Sequence, residues 1–379
     1  MKNIAVLGST GSIGVQTLDV IEHSKNMRVT ALTANKNTAK LEDQIRRFSP
    51  DIAVLYDSEA ARDLKTRVAD TKTRVLSGEE GLCDAAAYEK NDTVVEAVSG
   101  SVGIKPAIAA IRKNVRLALA NKEAMVCAGD IINEKVQKEG AEIVPIDSEH
   151  SAVFQCLQNN RDRLKKIILT ASGGPFFGKT KAELSAITPA EALRHPNWDM
   201  GAKITIDCAT LVNKGLELIE AIRLFGVSAN QIEVLVHRQS IIHSMVEFVD
   251  NSVIAQIGMP DMRIPISYAL TYPDRTENPS SSIDFTKLAP LTFEKPDMKT
   301  FYGLQLAFDA INAGGTMPTA YNGANEAAVD LFLKEKITFL QIPELIEYAM
   351  HKHKVVLNPD LESIINTDTE ARQSVYERI

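Results

Sequence analysis

Positive charge, cysteine, tryptophan and long apolar runs are all scarce in this chain. Lysine and arginine number 42 against 49 aspartates and glutamates, a formal net charge of −7. An acidic protein attracts neither polyanionic nucleic acid nor an anionic membrane surface, so neither is expected as a partner. An anionic small molecule would need a local positive site. The four cysteines, Cys83, Cys127, Cys156 and Cys208, form no C-x-x-C pair and are too sparse in 379 residues for a disulfide framework. No apolar run reaches the roughly 18 residues that span a bilayer. The N-terminus enters a strand-like run with no charged-then-apolar leader. Together these absences lead us to expect a cytoplasmic protein.

What is present is ordinary globular material, 45% hydrophobic and 24% charged. The chain is too long for one core, so two or three domains are expected. From 1 to 146, strand-like runs at 3–7, 29–33, 52–55, 93–98, 117–120 and 142–146 alternate with helical periods at 13–23, 38–48, 102–113 and 123–138. Such alternation implies right-handed crossovers and a parallel sheet. From 147 to 272 a strand (166–170), a Gly-rich loop, a helix (212–225) and three closely spaced strands (232–236, 241–248, 253–257) suggest a mixed sheet. Pro273, Pro279, Pro290, Pro296 and a run of serines mark a linker over 273–297. From 298 to 379 the period is helical. The expected fold is therefore α/β: an N-terminal Rossmann-like parallel sheet, a central α+β catalytic domain and a C-terminal α-helical bundle.

Gly8, Gly11 and Gly14 follow the first strand and open a helix. Glycine there permits a tight turn and lets backbone N–H groups approach a pyrophosphate at a helix N-terminus. The spacing is G-x-x-G-x-x-G, which also fits a plain Gly-rich turn, but its place in a βαβ unit favours a dinucleotide. The second strand is followed by Asn35, Lys36 and Asn37, with no acid to hold a ribose 2′-hydroxyl. Lys36 would favour a 2′-phosphate and hence NADPH; it also reads as a solvated residue at a helix start.

Asp147-Ser148-Glu149-His150 follows the strand at 142–146, where α/β sites collect. In extended backbone, Asp147 and Glu149 would point the same way, and two converging carboxylates call for a cation. With only oxygen donors, that ion would be Mg²⁺ or Mn²⁺. The same residues also read as a capped helix start. Asn213, Lys214 and Glu217 share one helix face, which is as readily a solvated surface. Ser172-Gly173-Gly174 can offer a hydroxyl and N–H groups to an anion, or simply turn. The only tryptophan, Trp198, stands with His195, Met200 and Gly201 in an interrupted segment that suggests a flap over 194–202; a lone Trp also reads as core.

Taken together, Gly8–Gly14, Leu119–Glu123, Asp147–His150, Ser172–Phe176, His195–Trp198, Asn213–Glu217 and Pro260–Arg263 resemble the 1-deoxy-D-xylulose 5-phosphate reductoisomerases along essentially the whole chain. The resemblance implies roles residue by residue. Asp147, Glu149 and Glu217 would be the metal ligands, for Mg²⁺, Mn²⁺ or Co²⁺. Lys122, Ser148 and Glu149 would contact the sugar backbone, and Ser172, His195, Cys208, Asn213 and Lys214 the phosphate and hydroxyls. Thr10, Gly11, Ser12, Ile13, Asn35, Lys36, Asn37, Asn121, Glu123 and Gly201 would touch NADPH. Trp198 and Met200 would lie in the flap and Met262 against the nicotinamide. Lys122, Asp147, Glu149, Glu217 and His195 would carry the chemistry: a skeletal rearrangement of the sugar phosphate by retro-aldol cleavage and recombination, then hydride reduction. A homodimer is implied by the family alone.

Three departures stand out. Cys208 replaces a usual Ser, Asn35 a usual Gly, and Gly323 an Ala in what reads as a helix start. Asn35 is expected to tolerate a positive φ. Two rival readings differ in class. An NADP-dependent dehydrogenase of a phosphorylated small molecule, without rearrangement, would need no divalent metal; its semialdehyde form needs a nucleophilic Cys beside a base, and Cys127 and Cys156 have no adjacent His. A non-catalytic NADPH-binding regulator would have no use for Asp147, Glu149 and Glu217 together with Lys122 and His195.

Overall fold

The structure, a computed structural model, describes residues 1–158, 160–198 and 200–379. It divides into two compact units, each assembled from separate stretches of chain. One comprises Met1–Ala124, Ile132–Ser151 and Asp261–Ser281; the other comprises Met125–Ile131, Ala152–Pro260 and Ser282–Ile379. Three of the boundaries fall inside helices, two in Lys122–Glu139, which is kinked at Ala128, and one in Ser148–Leu157.

The first unit is built on seven parallel strands: β1 (Lys2–Leu7), β2 (Met27–Ala34), β3 (Ile52–Leu55), β4 (Arg74–Ser77), β5 (Thr93–Glu96), β6 (Arg116–Leu119) and β7 (Glu142–Pro145). Their order is β4-β3-β2-β1-β5-β6-β7. Strand order reverses direction at β1, and β1 pairs with both β2 and β5, Ile4 standing opposite Val29 and Thr93. A parallel sheet covered on both faces needs apolar strands throughout, and Ile4–Leu7, Ile52–Leu55 and Val94–Val95 are essentially inaccessible. β4 is the exception: its residues are half-buried or exposed, as suits an edge. It and the helices Ser58–Arg67 and Gly78–Ala86 beside it are not anticipated from the sequence, where Val75 and Leu76 are too short an apolar run to register. Helix Arg263–Thr271 returns to this unit and packs on Ser12–Glu22. It is tied there by Arg263 to Asp19 at 3.1 Å and by Lys2 Nζ donating to the Leu270 carbonyl at 2.8 Å.

The second unit holds a mixed sheet ordered β11-β10-β8-β9, from β8 (Leu164–Ala171), β9 (Ile232–Val236), β10 (Ile242–Phe248) and β11 (Val253–Ile257). β8 and β9 are parallel; β10 is antiparallel to both β8 and β11. Helices Gly303–Ala313, Met317–Leu333, Gln341–Lys352 and Leu361–Tyr376 form the C-terminal helical region. Gly323 does not sit at a helix start. It lies well inside Met317–Leu333, where an added Cβ would stand 2.8 Å from the Asp368 carbonyl oxygen, so the missing side chain lets two helices touch. Asn35 also departs from expectation: it is not among the residues with positive φ.

Candidate active site

In the first unit the glycine turn closes on itself. Gly8 sits at φ +81°, and a Cβ there would fall 2.4 Å from the Ala97 carbonyl oxygen. A Cβ on Gly14 would fall 2.3 Å from the Gly8 oxygen. Ser9 is buried beneath, its hydroxyl donating to Gln44 at 2.7 Å while Gln44 Nε2 donates back to the Ser9 carbonyl at 2.8 Å. The turn is thus fixed from below, and its upper side is left to Thr10, Gly11, Ser12 and Ile13. Gly11 supplies no side-chain cap to helix Ser12–Glu22, so first-turn N–H groups face outward without one. Asn35, Lys36 and Asn37 follow β2, exposed, and Asn37 caps the next helix by accepting from the Lys40 N–H at 3.1 Å.

Asn121 caps helix Lys122–Glu139, accepting from Ala124 N–H at 2.6 Å and donating to the Gly100 carbonyl at 2.9 Å. Lys122 and Glu123 then fall in the first turn, both buried. Lys122 Nζ lies 2.9 Å from Asp147 Oδ2, with both side chains more than nine-tenths buried. Asp147 does not lie on extended backbone with Glu149. Helix Ser148–Leu157 starts directly after it, and Asp147 Oδ1 accepts from the Glu149 N–H at 3.1 Å and from His150 Nδ1 at 3.0 Å. Capping therefore aims Asp147 Oδ1 into the helix end and leaves Oδ2 beside the lysine. Ser148 donates to the Glu149 carboxylate. Met262 precedes helix Arg263–Thr271 in this unit.

Glu96 is a residue that the sequence reading missed. It ends β5, is wholly buried, and accepts from the Val98 N–H at 3.1 Å. Burial pushes its carboxyl well above the usual range. Inside an apolar run over 93–98 nothing marked it except the cost of putting an acid there.

In the second unit, Ser172 follows β8. Its Oγ lies 2.9 Å from His195 Nε2 and accepts from the Gly174 N–H at 3.2 Å. His195 Nδ1 accepts from the backbone N–H groups of Trp198 and Asn197, at 3.1 and 3.3 Å. With Nδ1 accepting, the neutral ring carries its proton on Nε2 and donates to Ser172. The serine then has two donors on its oxygen and one hydrogen left to give, which suits an anion. Burial pulls the His195 imidazole down to about 4, which keeps it neutral.

Helix Val212–Phe225 is buried on nearly every side, so Asn213, Lys214 and Glu217 are not a solvated face. Lys214 Nζ and Asn213 Nδ2 both donate to the Glu217 carboxylate, which is 1% exposed. The helix is drawn in by Gly215, whose Cβ would meet the Tyr321 hydroxyl at 2.6 Å. Cys208 lies in helix Ala202–Ala209, half-buried, and the backbone of Gly174 approaches within a Cβ's reach (2.8 Å) of its carbonyl. Gly201 immediately precedes that helix. Trp198 is half-buried with its ring 6.0 Å from that of His243, which favours neither a pure core role nor a free one. Met200 is half-buried too. Of the expected flap, Asp199 lies outside the described residues.

The structure thus brings Lys122, Asp147, Ser148 and Glu149 together in one unit, and Ser172 with His195, and Asn213 with Lys214 and Glu217, in the other. Asp147 and Glu217, oxygen donors of the expected metal set, each stand beside a lysine, Lys122 and Lys214 respectively.

Comparison with known proteins accounts for nearly the whole chain. Family models described as 1-deoxy-D-xylulose 5-phosphate reductoisomerase, its C-terminal domain, and the DXP reductoisomerase C-terminal domain match residues 4–129, 143–225 and 257–374. A protein of that name from Acetivibrio thermocellus is 54% identical over 378 residues, covering 100% of this chain and 99% of its own. The solved Zymomonas mobilis enzyme, in complex with NADPH, is 44% identical with a TM-score of 0.93, covering 100% of this chain and 98% of that one. A DOX-P reductoisomerase solved with NADPH, fosmidomycin and magnesium is 39% identical with a TM-score of 0.96, over the same shares.

Proposed function

Because the chain belongs to the 1-deoxy-D-xylulose 5-phosphate reductoisomerase family, we propose how its residues divide that family's reaction. The reaction is the NADPH- and metal-dependent conversion of 1-deoxy-D-xylulose 5-phosphate to 2-C-methyl-D-erythritol 4-phosphate, in the non-mevalonate route to isoprenoids. The observation that carries the assignment is the pair of buried lysine–carboxylate contacts, Lys122 with Asp147 and Lys214 with Glu217. Burying an ion pair costs several kcal/mol of desolvation per ion, so a fold keeps such pairs where the charges have work to do.

Asp147, Glu149 and Glu217 hold the divalent ion in this reading, an all-oxygen set suited to a hard cation such as Mg²⁺ or Mn²⁺. When bound, the ion polarises the substrate's carbonyl and hydroxyl oxygens, and NADPH supplies the hydride. Lys122 and Ser148 meet the same sugar oxygens, the lysine bringing positive charge where negative charge develops. Ser172, His195, Cys208, Asn213 and Lys214 bind the phosphate, which does not react and serves as the anchor that closes the flap carrying Trp198. Ser172 gives its one uncommitted hydrogen, and His195 holds the serine oxygen in place. The thiol of Cys208 donates more weakly than a hydroxyl would.

Thr10, Gly11, Ser12 and Ile13 receive the NADPH pyrophosphate at the helix N-terminus. Lys36, with Asn35 and Asn37, favours the 2′-phosphate where no acid opposes it. Asn121, Glu123, Gly201 and Met262 complete the cofactor contacts. The parts 1–146, 147–272 and 298–379, joined by a linker over 273–297, serve cofactor binding, catalysis and helical support.

The reading includes a homodimer, supported by β11, an edge strand whose Val253, Ile254 and Ile257 are 50, 47 and 40% exposed. Such an edge invites pairing with a second copy. No described helix is long and apolar enough to cross a membrane, and we place the protein in the cytoplasm.

The test follows NADPH absorbance with 1-deoxy-D-xylulose 5-phosphate. Loss should require Mg²⁺ or Mn²⁺ and stop with chelator. Glu217→Gln should cut turnover at limiting Mg²⁺ by at least roughly 10–100-fold, the loss seen even when residues behind a metal ligand are changed. Near-parent turnover of that variant would remove Glu217 from the ligand set. NADPH consumption that ignores chelator would favour the dehydrogenase without rearrangement.

A further inference from the structure

We propose that Asn197 is a positioning residue, the latch that holds the segment bearing His195 and Trp198 against the turn between β9 and β10. Its Nδ2 donates to the Arg238 carbonyl at 2.6 Å and to Ser240 Oγ at 2.9 Å. Both hydrogens of one amide are thereby spent on a single turn 41 and 43 residues away in sequence. Aspartate, of the same length, has no N–H, and glutamine carries the same amide one carbon further out.

The receiving turn is itself held rigid. Ser240 adopts φ +50°, a conformation that must be supported by its surroundings. Support comes from the proline-rich stretch before the C-terminal helices. Gln239 Nε2 donates to the Pro290 carbonyl at 3.0 Å and to Thr292 Oγ1 at 2.9 Å. His237 Nδ1 lies 2.9 Å from the Thr292 carbonyl, and its ring stacks on Phe293 with centroids 4.8 Å apart. Val236 and Glu294 exchange both backbone hydrogen bonds, at 2.8 and 2.9 Å. The acceptors for Asn197 are therefore held by contacts that do not involve the flap. On the flap side, His195 Nδ1 takes the N–H groups of both Asn197 and Trp198. Release of Asn197 would thus loosen His195 from Ser172 and Trp198 from His243 together.

The kinetic half of the test rests on the phosphate and flap roles proposed above; the optical half does not. Trp198 is the chain's only tryptophan, so its fluorescence reports this segment without labelling. Asn197→Ala should leave NADPH affinity unchanged, raise KM for the sugar phosphate by about tenfold, the worth of one to two neutral hydrogen bonds, and raise acrylamide quenching of Trp198 in the free holoenzyme. Ser240→Ala, which keeps the Arg238 acceptor, should show a smaller change of the same kind, and Gln239→Ala should move quenching without touching any proposed substrate contact. Unchanged Trp198 quenching in both Asn197→Ala and Ser240→Ala would overturn the latch, whatever the kinetics. Raised quenching with unchanged KM would keep the latch and instead remove the flap from substrate binding.

Discussion

His195 is buried enough to lose its charge yet keeps both ring nitrogens employed, one accepting and one donating. Its folded value near 4 lies below the ordinary 6.5, so the folded state binds this proton less readily than the unfolded state does. The sign follows: the neutral ring favours folding above pH 6.5, and that contribution drains away as pH falls towards 4. NMR titration of the His195 ring should therefore show a midpoint near pH 4, with the Ser172 contact intact across neutrality. A midpoint near 6.5 would mean that the ring stands open to water. Single residues also mark where sequence reading stops. Asn213, Lys214 and Glu217 were legible as one helix face, but their burial was not, because it is imposed by Gly215 against Tyr321 more than a hundred residues away. Asn197 left no local signal either, since its partners are a backbone carbonyl and a turn serine chosen by tertiary structure.

Among the elements, the first turn and helix show how little freedom the cofactor-binding segment has. Gly11→Ala would put a Cβ 3.4 Å from the Gly8 oxygen, near ordinary contact, whereas Gly14→Ala would put one at 2.3 Å against backbone that cannot swing aside. Overpacking of that kind costs about 1–3 kcal/mol. Gly14→Ala should accordingly lower Tm and weaken NADPH binding by tenfold or more in fluorescence titration, while Gly11→Ala changes stability little. Equal stability in the two variants would show that the turn relaxes freely. The parallel strands were readable because each is apolar throughout and bounded by helical periods. β4 was not, because an edge strand buried on neither side needs no apolar run. Helix Ala202–Ala209 was hidden by Pro196 and Gly201, which end the preceding segment and read as a continuing loop. Asp147 was read both as part of an extended pair and as a cap; Oδ1 performs the capping and Oδ2 faces Lys122.

For the molecule as a whole, association should be set by β11. Ile254→Lys places a charge on the exposed edge strand, where burial against a second copy would leave it unpaired. Sedimentation should show the parent at twice the 41.5 kDa chain mass and the variant near a single chain. A parent that sediments as one chain would refute the edge as an interface.

The division into six alternating stretches means that the polypeptide passes between the two units five times, three of them within a helix. Neither unit is a cassette. A protease cut at any one of those passages leaves both halves still stitched by the others, and no single pair of truncation points yields either unit whole. The two must therefore be inherited, expressed and folded as one object, which makes recombination with foreign domains at these borders a losing event.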